Sequence, residues 1–143
     1  MVTDVIYDSS MSVKQINETL TQGLIGWLGI QIQEINNNGL VATMPVNSNT
    51  MRPGGILHGG SNLAFAETLA GMGSMLFIDT KTHDARGMSV SANHVGAAND
   101  GLLKGVARLI HEGRTTHLWD IQIFREDGKL ISTARITNMI VEK

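Results

Sequence analysis

Glu67 is the only formally charged side chain between Pro53 and Ile78, in a stretch made largely of small and apolar residues. A carboxylate in such surroundings could act as a general base or as a nucleophile. It could equally be a structural acid, paired with a Lys or Arg from a neighbouring strand. Taken alone, the structural role is the commoner one.

His58-Gly59-Gly60 stands directly before the segment that carries Glu67. Two glycines at the start of a helix let another group approach the backbone, and the first free N–H groups carry the positive end of the helix dipole. Such a helix start could polarise a carbonyl and hold a developing oxyanion. The alternative, purely structural roles are a capping or core imidazole for His58 and a tight turn for the glycines.

Gly59 and Glu67 are separated by two helical turns, about 12 Å along the axis of one helix. We therefore expect that one subunit does not complete a site that uses both groups.

Other catalytic constellations do not assemble in this sequence. There is no cysteine, no phosphate-binding loop, no G-x-G-x-x-G motif and no nucleophile elbow. The histidines lack metal-binding spacing; they are His58, His83, His94, His111 and His117. A mechanism without a metal or a cofactor is what remains.

The segment 61–77 is predicted to be a long helix. It is apolar nearly all round, which is typical of a helix surrounded by protein. Helical spacing predicts that Glu67 shares a face with mostly small residues and that this face borders a cleft. The expected face comprises Gly60, Leu63, Ala64, Ala70, Gly71 and Ser74.

Upstream of this helix, residues 12–24 are predicted to form a short helix that Ser12 caps and that Gly23 and Gly26 end. From Ile30 to Val46 the polarity alternates with period two, interrupted by Asn37-Asn38-Gly39. That pattern predicts a hairpin.

Downstream, we predict a loop over residues 79–86 and then four strands. The turn signals at residues 99–101, 112–113 and 127–128 predict that consecutive strands are antiparallel neighbours. The strand at residues 117–123 places His117, Trp119, Ile121 and Ile123 on one face. The predicted fold class is α+β, with a twisted antiparallel sheet around one long central helix.

The length of 143 residues predicts a single domain over residues 1–143, with residues 1–24 as an N-terminal extension. The net charge of -2 and the absence of a basic run argue against nucleic acid as a partner. The chain shows no signal peptide and no apolar stretch of membrane-spanning length, so we expect a cytoplasmic protein without membrane attachment.

Three segments of the sequence resemble the hotdog-fold acyl-CoA thioesterases of the 4-hydroxybenzoyl-CoA and phenylacetate-pathway branch. They are residues 42–67, residues 91–95 (SANHV) and residues 111–119 (HEGRTTHLW), and they occur in the family's order. The resemblance extends over about residues 25–140. Within that family the likeness is closest to the 1,4-dihydroxy-2-naphthoyl-CoA thioesterases of menaquinone or phylloquinone synthesis.

The resemblance implies roles for the residues above. Glu67 would attack the thioester or activate water, the Gly59 amide would polarise the carbonyl, and His58 would help to shape the reaction centre. Coenzyme A would run along a strand and a turn, where Arg114 could meet a phosphate. The implied contacts are His94, Val95, Gly96 and Ala97 on the strand, and His111, Gly113, Arg114, Thr115 and Thr116 on the turn.

The resemblance also implies an assembly. Two subunits would join their sheets with their long helices antiparallel, each site would be built across the dimer, and a dimer of dimers, a homotetramer, would follow.

Three positions depart from the family's pattern, and one of them is Gly96, where close relatives have a basic residue. Arg52 stands where the family often has an Asn or Gln that contacts the acyl carbonyl or its water; this cation could favour an acidic acyl group or simply point to solvent. Gly71 stands where relatives often carry a Ser or Thr that orients water, which leaves Thr68 or Ser74 as substitutes.

The sequence therefore predicts an acyl-CoA thioesterase that hydrolyses an aromatic acyl-CoA to the free acid and coenzyme A. Two alternatives stay open at this point: a hotdog hydratase or dehydratase, and a non-catalytic acyl-CoA-binding domain.

Overall fold

The computed structural model describes residues 7–143. Three helices and eight strands follow one another along this part of the chain. The helices are α1 (Val13–Thr19), α2 (Gly23–Leu28) and α3 (Gly59–Leu76). The strands are β1 (Gln31–Asn36), β2 (Gly39–Pro45), β3 (Met51–Arg52), β4 (Ile56–Leu57), β5 (His83–His94), β6 (Leu102–Glu112), β7 (Thr116–Phe124) and β8 (Leu130–Glu142).

Six strands form one antiparallel sheet in the order β1-β2-β6-β7-β8-β5. Helix α3 packs against β2, β5, β6, β7 and β8. The α+β class and the long central helix are confirmed. So is the first hairpin, formed by β1 and β2.

The N-terminal helix was predicted with the right start and the wrong end. Ser12 caps α1 through a capping box with Gln15, but α1 ends at Thr19. Gly23 begins a second helix, and Gly26 lies within it. A side chain at Gly26 would overlap the carbonyl group of Thr21, so this glycine permits close packing instead of ending a helix.

Two expectations about the strands were wrong. Strand β5 begins at His83, so the predicted loop over residues 79–86 is too long. β5 and β6 are not neighbours, because β5 pairs with β8 at the edge of the sheet. The connection between β5 and β6 is held by two backbone hydrogen bonds, from Leu57 N–H to the Ala98 carbonyl and from Val46 N–H to the Gly101 carbonyl. It leads from the edge of the sheet to β6 in the middle.

The predicted inward face of β7 is confirmed, since His117, Trp119, Ile121 and Ile123 are all buried. The Trp119 ring occupies the space that a side chain at Gly73 would need, so α3 can lie directly on the ring. This glycine sets how closely the helix approaches the sheet.

Ser74 joins α3 to the sheet through a buried hydrogen-bond network. Its Oγ accepts from Trp119 Nε1 at 2.9 Å and from Asn138 Nδ2 at 2.9 Å. With both acceptor sites used, the Ser74 hydroxyl donates to His117 Nδ1, which lies 3.1 Å away. His117 therefore carries its hydrogen on Nε2 and is neutral; burial lowers its pKa below the ordinary 6.5.

Two glycines of α3 give opposite predictions for stability. Gly73→Ala should lower the free energy of unfolding by about 1–3 kcal/mol, because the added methyl group overpacks against Trp119. Gly71→Ala should raise the free energy of unfolding by roughly 0.5–1 kcal/mol, because nothing lies within 4 Å of the new methyl group. Urea denaturation measures both; equal effects would contradict this packing.

Candidate active site

Helix α3 begins at Gly59, with His58 as its N-cap. His58 Nδ1 accepts a hydrogen bond from Gly60 N–H at 2.7 Å, and its carbonyl accepts from Ser61 N–H at 2.9 Å. The carbonyl of Thr50 receives both His58 N–H and Ser61 Oγ, each at 2.9 Å. The first turn of α3 is thus fixed to the loop that precedes it.

These contacts leave Gly59 N–H without an acceptor among residues 7–143. Because Nδ1 of His58 accepts, a neutral His58 carries its hydrogen on Nε2, which is a second free donor. Both groups lie at the positive end of the α3 dipole. The start of the helix can therefore stabilise a negative oxygen.

His94, predicted as a coenzyme A contact, lies beside this helix start. A Cβ at Gly59 would be 3.1 Å from His94 Nε2, so the imidazole packs against the glycine backbone. His94 Nδ1 is 2.9 Å from Ser132 Oγ, which holds the ring in place. The glycine at position 59 thus makes room for the His94 ring.

The Glu67 side chain is exposed and lies against the backbone of Gly87 in β5. A Cβ at Gly87 would be only 2.7 Å from Glu67 Oε1. The absence of a side chain at position 87 therefore makes room for the carboxylate. Sequence reasoning missed Gly87, although an isolated glycine within a strand signals a close approach.

The predicted helix face around Glu67 needs correction. Ala70 and Ser74 are fully buried against the sheet. Ser74 is also engaged by Trp119 and Asn138, so it is unavailable to orient a water molecule. Of the two suggested substitutes, only Thr68 borders the same cleft as Glu67.

This cleft has a volume of about 380 Å³, within the range of ligand pockets. The expectation that Glu67 and Gly71 border a cleft is confirmed. Sequence reasoning did not find the lining residues outside α3, because no periodicity relates them to the helix. They are Tyr7, Ile25, Asp84 and Ala85.

Arg52 is exposed on the hairpin of β3 and β4, and its Nη1 donates to the carbonyl of Pro53 at 2.9 Å. The guanidinium group thus folds onto its own turn. The structure shows no contact between Arg52 and Glu67 among the described residues.

The two predicted coenzyme A segments lie at opposite ends of β5. At one end, Val95 and Gly96 both donate their N–H groups to the carbonyl of Ile131, and Ala97 lies three residues past the end of β5 at His94. At the other end, the turn with exposed His111 and Arg114 closes through Gly113 N–H to the Thr116 carbonyl at 2.9 Å. The carbonyl of Thr115 accepts from Ile140, which pairs with Ala85 of β5.

In the described part of the chain, no group of three or more His, Asp or Glu side chains is placed to hold a metal ion. Nor is any helix of residues 7–143 long and apolar enough to cross a membrane.

Comparison with known proteins gives the family. Residues 54–132 match the thioesterase superfamily. The chain belongs to this superfamily. It is 32% identical to the 1,4-dihydroxy-2-naphthoyl-CoA hydrolase of Escherichia coli over 95% of this chain and 99% of that protein. It is 34% identical to the proofreading thioesterase EntH of Cronobacter turicensis over 95% of this chain and 98% of that one.

A solved structure of a mutant thioesterase from Pseudomonas aeruginosa superimposes with a TM-score of 0.91 at 37% identity, covering 97% of this chain and 100% of that one. The fold is therefore the hotdog fold, and the protein is a thioester hydrolase. Membership of this superfamily therefore favours thioester hydrolysis over the two alternatives considered above, a hydratase or dehydratase and a non-catalytic acyl-CoA-binding domain.

Gly87→Ala should reduce kcat for thioester hydrolysis on the order of 100-fold, because the new methyl group displaces the Glu67 carboxylate. The melting temperature should change little, since the displaced atoms are the far end of a flexible side chain. Steady-state kinetics with Ser89→Ala as the control on the same strand measures the effect. A fully active Gly87→Ala enzyme would show that the carboxylate does not work from this position.

Proposed function

We propose that the protein hydrolyses an aromatic acyl-CoA, with Glu67 as the catalytic carboxylate and the start of α3 as the oxyanion site. The observation that carries this proposal is the free Gly59 N–H at a glycine-opened helix start, with an exposed carboxylate further along the same helix.

In this mechanism the thioester oxygen accepts hydrogen bonds from Gly59 N–H and His58 Nε2–H. One such donor is worth about 3 kcal/mol in the transition state. Glu67 either takes a proton from the attacking water or attacks the carbonyl carbon itself, forming an anhydride that water then cleaves. The C–S bond breaks in both cases, and the coenzyme A thiolate gains a proton.

Two copies of the chain are needed for this chemistry. Gly59 and Glu67 lie eight residues apart on one rigid helix, about 12 Å along its axis. A carbonyl bound at Gly59 is therefore out of reach of the carboxylate on the same helix. The reacting pair is completed by Glu67 of a second copy.

Strand β5 offers the surface for this pairing. It is the last strand of the sheet, and its outer edge has no partner strand among the described residues. Two large apolar side chains on it are exposed, Met88 by 53% and Val90 by 37%. An unpaired edge with exposed apolar groups favours association with another strand.

The register of this pairing follows from the site. Gly87 marks the position of Glu67, and His94 marks the position of Gly59. Two β5 strands paired antiparallel about a two-fold axis at Ser91 bring Met88 of one copy opposite His94 of the other, with Gly87 next to it. Each carboxylate then faces the helix start of the other copy.

The same pairing unites the coenzyme A segments. Residues 94–97 and the turn at residues 111–116 lie at opposite ends of β5 in one chain. In an antiparallel pair, residues 94–97 of one copy reach the end that carries Arg114 of the other. The exposed Arg114 is then placed to bind a coenzyme A phosphate.

The aromatic acyl group is supported by the cleft and by the relatives. Ile25, Met72, Met75 and Ala85 give the cleft an apolar lining that suits a ring. The name of the E. coli relative specifies a dihydroxynaphthoyl-CoA. If the naphthoyl thioester proves to be the preferred substrate, the protein would serve menaquinone synthesis. Separately, we expect two such dimers to assemble into a homotetramer.

Glu67→Gln should lower kcat on naphthoyl- and benzoyl-CoA by roughly 100- to 10,000-fold, since the amide can neither accept the proton nor attack. Thiol release measures the rate. Glu18→Gln is the matched control, because Glu18 is an exposed acid on α1 outside the proposed site. Retained activity in Glu67→Gln would refute the assignment of this carboxylate. Faster release from straight-chain than from aromatic thioesters would refute the aromatic substrate.

A further inference from the structure

The cleft beside Glu67 extends along α3 toward the end of the helix. Its helical lining comprises Glu67, Thr68, Gly71, Met72 and Met75, a span of about 12 Å by the rise per residue. Gly71 places no side chain in the middle of this span, and a Cβ there would have nothing within 4 Å. The cleft therefore continues past Gly71 toward Met75.

Strand β5 gives the cleft its direction. Gly87 contacts Glu67, whereas Ala85 and Asp84 line the cleft further along the strand. At about 3.3 Å per residue, Asp84 lies roughly 10 Å along the strand from Gly87. Asp84 and Met75 thus mark the end of the cleft that is distal to the catalytic carboxylate.

Tyr7 lies at this distal end. It lines the cleft and packs against the hydrophobic core, and its phenol lies close enough to the Asp84 carboxylate for the two to interact electrostatically. Burial, and then the Asp84 carboxylate, raise the pKa of the Tyr7 phenol to about 12, so the hydroxyl stays protonated and the ring remains a neutral wall. Ile25 of α2 joins it from the same N-terminal part of the chain.

We propose that Tyr7 closes the distal end of the acyl cleft and thereby sets the largest acyl group that the enzyme accepts. Helix α3 and strand β5 provide the sides, and Tyr7 together with Ile25 provides the end wall. Tyr7 is thus a specificity-determining residue that does not touch the scissile bond. This inference rests on the proposed function, because it takes the cleft at Glu67 as the acyl site.

Binding of intact substrates tests the end wall separately from turnover. The background is Glu67→Gln in the full chain, and the probes are straight-chain acyl-CoAs of increasing length, titrated by calorimetry. Adding Tyr7→Ala should extend the longest chain bound and tighten binding of that chain about tenfold, because added methylene groups become buried. Adding Tyr7→Trp should shorten the limit.

Tyr7→Phe is the matched control, because it keeps the ring and removes only the hydroxyl. It should leave the length limit unchanged. An unchanged limit in Tyr7→Ala, or a Tyr7→Phe limit that moves as far as that of Tyr7→Ala, would overturn the end wall. A second readout is the chain-length profile of kcat/KM, measured for the same Tyr7 variants in chains that retain Glu67. The same shifts in the length limit are expected there.

Failure of the inference and failure of the proposed function give different results. If the unmodified protein releases no thiol from any acyl-CoA but binds acyl-CoAs with a limit that Tyr7→Ala extends, the hydrolytic role of Glu67 fails and the end wall stands. If thiol is released but the longest acyl chain bound is the same in all Tyr7 variants, the end wall alone fails.

Discussion

The length of helix α3 between Gly59 and Glu67 is the constraint on which the proposed catalytic arrangement depends. A rigid helix holds the free amide and the carboxylate about 12 Å apart, and no side-chain rotation can close that gap. The two groups can cooperate only if a second helix, running the opposite way, supplies the missing partner. The need for a second copy follows from this single distance, and the unpaired edge of β5 offers the surface on which that copy can pair.

The position of α3 on the sheet is fixed by small residues and by one hydroxyl. Gly73 lets Trp119 lie directly beneath the helix, and Ser74 receives hydrogen bonds from Trp119 and Asn138. Asn138 Nδ2 also donates to the carbonyl of Ala70 at 2.9 Å, one turn beyond Glu67. A helix held this firmly keeps the carboxylate at a constant height over Gly87.

Patterns in the sequence predicted those structural features that depend on residues close together in the chain. The long helix, the first hairpin and the inward face of β7 follow from periodicity, and the Ser12 cap follows from its side-chain chemistry. The place of β5 at the sheet edge was not predictable, because it depends on where the connection to β6 is anchored. Gly87 and Tyr7 were not predicted either, because each comes to lie beside the Glu67 cleft only after the chain has folded.

Mixed dimers test the shared site most directly. Glu67→Gln and His58→Ala subunits carry different tags, are coexpressed, and are purified through both tags. If Glu67 works against the helix start of the other copy, each mixed dimer holds one intact site and one doubly defective site, and should show about half of the unmodified activity. Mixed dimers that are no more active than the two parent variants would place both groups in one subunit and contradict the account.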